Sequence, residues 1–496
     1  VKIVLINPNL DDERGFLSYL NGRYKRLFIM PSMTMPYIAA LTPPWHEVSI
    51  IDETIGDVID YDVDADLVGI TCITPIARKV YRIASRFRGR GVPVAIGGCH
   101  PTVLPHEAKA FCDAVVIGDA EDAWPALVGD LENKRLQPFY KGDPDGSLAN
   151  LPAPRMDLMR RRSRYQYFGV PAAQIKLSRG CPNKCTVCPI PVIYKGRFRY
   201  RPLDDVIKEI EETEEKYIYF NEDNITGDMN YARELFKRMI PLKKKWTSVG
   251  GIRFAEWDMP ELARKSGCME IFLGLETPNV GSLKDMGKAD NLRVNLYEAV
   301  KKVHDAGILI TGGFLVGFDS DDRDAFRRIL DFVFEANIEM CQYLLLLPIP
   351  GTPVYRQLER EGRLLKEKWW LEDYYSNEVV FQPKRLTPDE LARGLLYLTE
   401  ETYKAGAIAR KIIGKSLLTS PRVSLSQRVG AFGFNMAFRE MYRQQRKLYE
   451  EKLGWNGGDG KKEFKEDSSG KYVRGECRVG ELRWRAPVVD EPRQGE

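Results

Sequence analysis

The chain has 496 residues, 44% hydrophobic and 29% charged, which describes an ordinary soluble protein with two or three domains. A net charge of +4 spread over so many ionisable groups argues against nucleic acid as a partner. No apolar run reaches the roughly 18 residues of a membrane-spanning helix, the first residues read as a strand and not a signal peptide, and nine cysteines without a framework fit a reducing cytoplasm.

Residues 1–136 alternate short Val/Ile-rich runs with helical ones. Strands are expected at Val1–Asn7, Glu47–Asp52, Asp66–Thr71, Pro93–Gly97 and Ala114–Gly118. Helices are expected at Pro36–Leu41, Ile76–Gly91, Leu104–Phe111 and Ala123–Asn133. Unbroken apolar runs imply strands buried on both faces, hence a five-stranded, doubly wound, Rossmann-like α/β domain. Such sheets take ligands at the carboxyl ends of their strands. The candidate binding residues there are Thr71, Thr74, Gly97, Gly98, His100, Thr102, Gly118 and Glu121. The first loop lacks G-x-G-x-x-G, which weakens an ordinary dinucleotide reading. Gly97-Gly98 would let a backbone approach a large flat ligand. His100 is read as hydrogen-bonding the ligand or its loop more readily than a metal.

Residues 137–167 lose periodicity and are punctuated by Pro and Gly, the mark of a linker. The basic run Arg160–Arg164 reads as a solvated face more readily than as an anion site. Residues 168–365 then give strand-like runs at Gln174–Leu177, Tyr217–Phe220, Ser248–Arg253, Glu270–Leu275, Leu309–Val316 and Cys341–Leu347. Helical segments at Leu203–Glu215, Ala232–Ile240, Pro260–Ser266, Leu292–Ala306 and Arg323–Asn337 separate them. Six β/α units are two short of a complete barrel.

After the first of these strands comes Ser178-Arg-Gly-Cys181-Pro-Asn-Lys-Cys185-Thr-Val-Cys188. Three thiolates at C-x3-C-x2-C are one ligand short of a closed zinc or iron–sulfur site. Cys268 is the next cysteine, and no histidine lies between His106 and His304, so a redox centre with one open metal position is favoured over structural zinc. Polar residues stand at later strand ends: Glu222 and Asp223 after the second, Arg253 after the third, Glu276 after the fourth. Glu222 and Asp223 could instead serve only as an N-cap of the next helix.

The run Ser178-Arg-Gly-Cys-Pro with this cysteine spacing resembles the signature of the radical S-adenosylmethionine (SAM) superfamily. Upstream, Ile96–Thr102, Leu104–Glu107 and Val115–Glu121 are similar to the cobalamin-binding domain of class B radical SAM enzymes, a resemblance covering about residues 1–450. It implies a 4Fe-4S cluster on Cys181, Cys185 and Cys188, SAM on its open iron, and cobalamin, without a D-x-H-x-x-G lower ligand, on the first domain. It also implies an open six-unit barrel. Glu222, Asp223 and Glu276 would serve the SAM amino group or ribose, Arg253 its carboxylate, and glycines between Gly312 and Gly317 its adenine. The implied activity is methyl transfer from SAM via methylcobalamin to an unactivated carbon, as in hopanoid methylases. The alternatives are a cyclase or rearrangement enzyme, as in the anaerobic magnesium-protoporphyrin monomethyl ester cyclase, and an iron–sulfur electron-transfer or sensor protein. An electron donor such as flavodoxin or ferredoxin and a small-molecule or lipid substrate are the expected partners.

Residues 366–455 read as a helical region. Trp369-Trp370 and Tyr374-Tyr375 divide evenly between covering the barrel mouth and packing a further layer. Phe434, Phe438, Tyr442 and Tyr449 form a packing stripe, and Arg439, Arg443, Arg446 and Lys447 line another face, which leaves room for peripheral membrane contact. Residues 456–496 read as a disordered tail.

Overall fold

The computed structural model describes residues 1–9, 32–159, 170–375, 377–415 and 422–453. The basic run Arg160–Arg164 and the tail expected to be disordered lie outside the described residues.

The first sheet contains β1 (Lys2–Asn7), β2 (Glu47–Asp52), β3 (Leu67–Thr71), β4 (Val94–Gly97), β5 (Ala114–Ile117) and β6 (Phe139–Lys141). All are parallel, in the order β2-β1-β3-β4-β5-β6. The order reverses between β1 and β3, which makes that gap the switch point of the sheet. The sixth strand corrects the five-stranded expectation. Phe139-Tyr-Lys is too short to signal itself in a punctuated stretch, and Tyr140 becomes core only by pairing beside β5. The helix expected over Leu104–Phe111 is observed as Pro105–Lys109, and a separate short helix that was not expected, Cys99–Val103, precedes it, the two divided because Pro105 cannot continue a preceding helix. Both faces of the sheet are covered. Ile3, Leu5, Ala95, Val116 and Trp124 pack on one side, and Val4, Ile6, Val68, Ile96 and Phe87 on the other.

The second sheet is β7 (Ala172–Ile175), β10 (Tyr217–Phe220), β11 (Lys245–Gly250), β12 (Cys268–Glu276), β13 (Leu309–Val316) and β14 (Met340–Leu345). They are parallel in that sequence order, and among the described residues β7 and β14 are the edges of the sheet and do not pair with each other, so the six-unit barrel is open. Between β7 and β10 lies an antiparallel hairpin, β8 (Ser178–Gly180) with β9 (Phe198–Tyr200), whose loop carries the three cysteines. The third strand, expected to run to Arg253, ends at Gly250, and residues 252–255 form a turn of 3-10 helix.

Helices Pro388–Thr402 and Leu425–Leu453 lie beyond the barrel. The first begins with a capping box between Thr387 and Glu390. The second buries Phe434, Phe438, Tyr442 and Tyr449, as the stripe predicted. Trp369 and Trp370 are buried against the first domain's core, which settles them as packing. No helix among the described residues is long and apolar enough to cross a membrane.

Candidate active site

The carboxyl ends of the two sheets face one another across a cavity of about 600 Å³, within the usual range of small-molecule and cofactor sites. One wall comes from the switch point and its neighbours, with Leu5, Gly69, Thr71, Gly97, Gly98 and Gly118. The other comes from the start of the cysteine hairpin and the end of β10, with Lys176, Ser178, Arg179 and Asp223. At Gly118 (φ 78°) a Cβ would project into open space, so this glycine keeps the wall thin. Gly98 (φ 109°) is needed for another reason: a Cβ there would stand 2.7 Å from the Cys72 carbonyl.

Thr71, Gly97, Gly98 and Gly118 thus reach the cavity as the sequence suggested, and their neighbours do not. His100 is fully buried, with its ring nitrogens 3.3 Å from Thr74 Oγ1 and 3.0 Å from the Tyr81 hydroxyl. Of the two readings for His100 the loop contact is the one observed, and neither it nor Thr74 lines the cavity: the helix starting at Cys99 turns the imidazole into the core. Thr102 braces the loops, donating to the Gly98 carbonyl (2.8 Å) and accepting from Gly118 N–H (3.0 Å). Glu121 is engaged by Tyr37 (2.9 Å) and Arg179 (3.1 Å), and its role is to join the domains.

Glu222 is likewise withdrawn from any ligand. It accepts from Leu177 N–H (2.6 Å) and Ser178 N–H (3.2 Å) and from the Ser178 hydroxyl, which fixes the strand entering the cysteine loop. Burial raises its pKa against the opposing charge of Lys176 and these bonds. Asn224 accepts from Gly251 N–H (2.9 Å), tying the ends of β10 and β11 together. That leaves Asp223 as the acid of this loop on the cavity wall, 3.8 Å from Lys176. Arg253 lies on the turn after β11 and pairs with Glu256 (3.4 Å). Gly313 gives its space to the Phe272 ring, so this glycine serves packing.

The cysteine loop is held on several sides. Gly180 (φ 89°) passes so close to the Arg197 carbonyl that a Cβ would collide with it. Thr186 N–H donates to the Met286 carbonyl (2.9 Å), and Val354 N–H to that of Thr186 (3.2 Å). Cys181, Cys185 and Cys188 are half-buried neighbours. Burial raises all three thiol pKa values, and the adjoining thiols add to this at Cys188, pushed up to about 12. Buried thiols this reluctant to ionise need positive charge to become ligands. Among the described residues no three of His, Cys, Asp or Glu stand so as to enclose a single metal ion. The fit to a cluster therefore rests on the donor set, three thiols in one pinned loop without a fourth.

Lys288 supplies part of that charge, and no motif announced it. Its ammonium is 2.7 Å from Glu276. Burial opposes its charge, but Glu276 and the Cys185 and Cys181 thiols outweigh this and hold it above the ordinary lysine range. Glu276, expected to face SAM, instead pairs with Lys288, at a bulge of β12 with φ 65°.

The comparisons agree with this geometry. The B12 binding domain family matches residues 24–128 and the Radical SAM superfamily residues 175–333. Bacteriochlorophyllide d C-12(1)-methyltransferase of Chlorobaculum tepidum is 31% identical over 77% of this chain and 84% of its own length. The C-8(2)-methyltransferase of the same organism is 29% identical over 72% and 82%. Among solved structures, the cobalamin-dependent SAM radical enzyme OxsB with aqua-cobalamin bound superposes with TM-score 0.61 over 85% of this chain and 71% of its own, at 14% identity. The radical SAM methyltransferase TsrM from Kitasatospora setae does so with TM-score 0.59 over 79% and 82%, at 15% identity. These two likenesses speak for the fold. Both family matches carry the cofactors, namely a 4Fe-4S cluster, SAM and cobalamin, and the relatives carry the methyltransferase family. The chain belongs to the cobalamin-dependent radical SAM methyltransferase family.

Proposed function

We propose that this protein transfers a methyl group from SAM, by way of bound cobalamin, to an unactivated carbon of a small-molecule or lipid substrate. The observation that carries the reading is a cavity with the glycine loops on one wall and the cysteine hairpin and Asp223 on the other. When bound, the cluster and cobalamin supply reductive SAM cleavage and methyl carriage. The chain's own residues then have binding and orienting work. Cys181, Cys185 and Cys188 would hold the cluster. Gly97, Gly98 and Gly118 would admit the corrin face to backbone contact, with Thr71 beside them. Asp223, on the cavity wall, would accept from an ammonium group there. Lys288 and Glu276 form a half-buried pair beside the cysteines, where the cation favours the thiolate form.

Little acid–base chemistry is asked of the protein. His100 and His304 are both buried in structural pairings, the latter 3.0 Å from Glu339. Electrons would come from a flavodoxin- or ferredoxin-type donor. Anaerobic protein reconstituted with iron, sulfide and hydroxocobalamin, then reduced in the presence of SAM, tests the reading. S-adenosylhomocysteine together with 5′-deoxyadenosine is the expected product pair. Deoxyadenosine alone would instead support a cyclase or rearrangement, and neither product an electron-transfer or sensor protein.

A further inference from the structure

We propose that the outward face of the helix Leu425–Leu453 docks on an anionic lipid bilayer. The inner face of this helix is fully used: Gln427, Ala431, Phe434, Phe438, Met441, Tyr442 and Tyr449 are buried in the body of the protein. On the opposite side Leu425, Val429 and Phe432 are 77%, 63% and 48% exposed. Single exposed apolar side chains are ordinary, but three in line on consecutive turns are a patch. The partly exposed Met436 continues the line by one more turn. At 3.6 residues per turn, Arg439, Arg443 and Lys447 then fall on the same line, within roughly 40° of its centre. One face therefore runs from apolar to basic along its length, with Glu440 at 4.0 Å from the exposed Arg443 at its border.

The surrounding charge selects the occupant. Residues 402–439 contain seven Lys and Arg and no Asp or Glu. Of these Lys411 is buried, Arg422 is paired with Glu261 and Lys404 with Glu401, which leaves four others. A second copy of this chain would bring the same cationic stretch against itself across a two-fold axis, which like-charge repulsion disfavours. An apolar stripe with cations along and beside it matches the boundary between acyl chains and anionic headgroups.

The position suits such a role. Gln427 donates to the Met269 carbonyl at 2.8 Å and approaches that of Gly307 at 3.3 Å, so the helix begins at the amino ends of β12 and β13. The cavity lies at the carboxyl ends, and a docked protein keeps its mouth clear.

The test is co-sedimentation of the full chain with vesicles of phosphatidylglycerol and phosphatidylcholine, against phosphatidylcholine alone. Binding to the anionic vesicles only, reduced by high salt, is the expected result. The variant L425S/V429S/F432S should bind about tenfold more weakly or worse, with its circular dichroism unchanged because the three side chains touch solvent. Charge reversal in R439E/R443E, which leaves the apolar stripe intact, should also weaken binding. No binding to anionic vesicles, or binding that neither variant reduces, overturns the proposal. So does a dimer in light scattering that the apolar variant converts to monomer, since the occupant would then be a second copy.

Discussion

Arg179, two residues before the first motif cysteine, donates from its guanidinium to Glu121 of the first domain at 3.1 Å. Asp119 stands 3.7 Å from the same arginine and also pairs with Arg199 on β9. Burial raises the Asp119 pKa despite these cations, whereas at Glu121 burial is outweighed by the charge of Arg179 together with hydrogen bonds from the backbone, Arg179 and Tyr37, which lower it. The strand that leads into the cysteine loop is thus fastened to the loop after β5, on the wall expected to carry cobalamin.

Removing the arginine leaves Glu121, largely buried, without its main counter-charge, and leaves Asp119 with Arg199 alone. Arg179→Met should cost about 3–5 kcal/mol, seen in urea unfolding of cluster-free protein as an earlier transition. A change of well under about 1 kcal/mol, the level of an exposed pair, would show the link to be incidental.

Glu107 gives a pH dependence. Burial alone would raise its pKa, but His100, Trp370 (2.9 Å) and Lys368 (3.1 Å) overcome this and hold it at about 2. A carboxylate with a depressed folded pKa stabilises the protein above its unfolded value and loses that contribution as pH falls through the folded one. Stability should therefore decline between the ordinary glutamate range and about pH 2. Glu107→Gln should flatten that part of the profile in thermal unfolding. Superimposable profiles would mean that other carboxylates govern acid unfolding.

The two glycines with positive φ on the cavity wall should respond unequally. Gly98→Ala meets the Cys72 carbonyl as well as an unfavourable backbone, while Gly118→Ala meets no atom within 4 Å. The first substitution should abolish retention of hydroxocobalamin through gel filtration. Gly118→Ala should weaken retention through backbone strain of about 1 kcal/mol and any intrusion on the ligand. The reverse order would place the corrinoid elsewhere.

Lys288→Met removes the half-buried cation beside Cys181 and Cys185. An EPR-monitored redox titration of the reconstituted variant should give a more negative midpoint potential, because the reduced cluster loses a nearby positive charge. An unchanged potential would confine Lys288 to pairing with Glu276.

Much of this was legible in the sequence where a pattern repeats or a motif is contiguous. The βα alternation announced both sheets, and the spacing of Cys181, Cys185 and Cys188 announced their loop. The hairpin β8–β9 was not legible, since its strands are three residues each and rich in arginine. Side-chain direction was also hidden: nothing in Gly-Gly-Cys-His says that the helix begins at Cys99 and swings His100 into the core. Glu222 looked like a ligand residue because it ends a strand, yet the adjoining backbone of Leu177 and Ser178 claims it. Lys288 lies 100 residues or more beyond the motif cysteines in an undistinguished Met-Gly-Lys-Ala run, and only the packing of residues 285–286 on Thr186 brings it near them.

The shared cavity is tested most directly by assaying iron, sulfide and corrinoid in one anaerobically prepared, gel-filtered fraction. The account predicts a 4Fe-4S complement and one cobalamin per chain, with replacement of all three motif cysteines by Ala removing the cluster. A fraction that carries zinc without sulfide, or that retains no corrinoid, would contradict it.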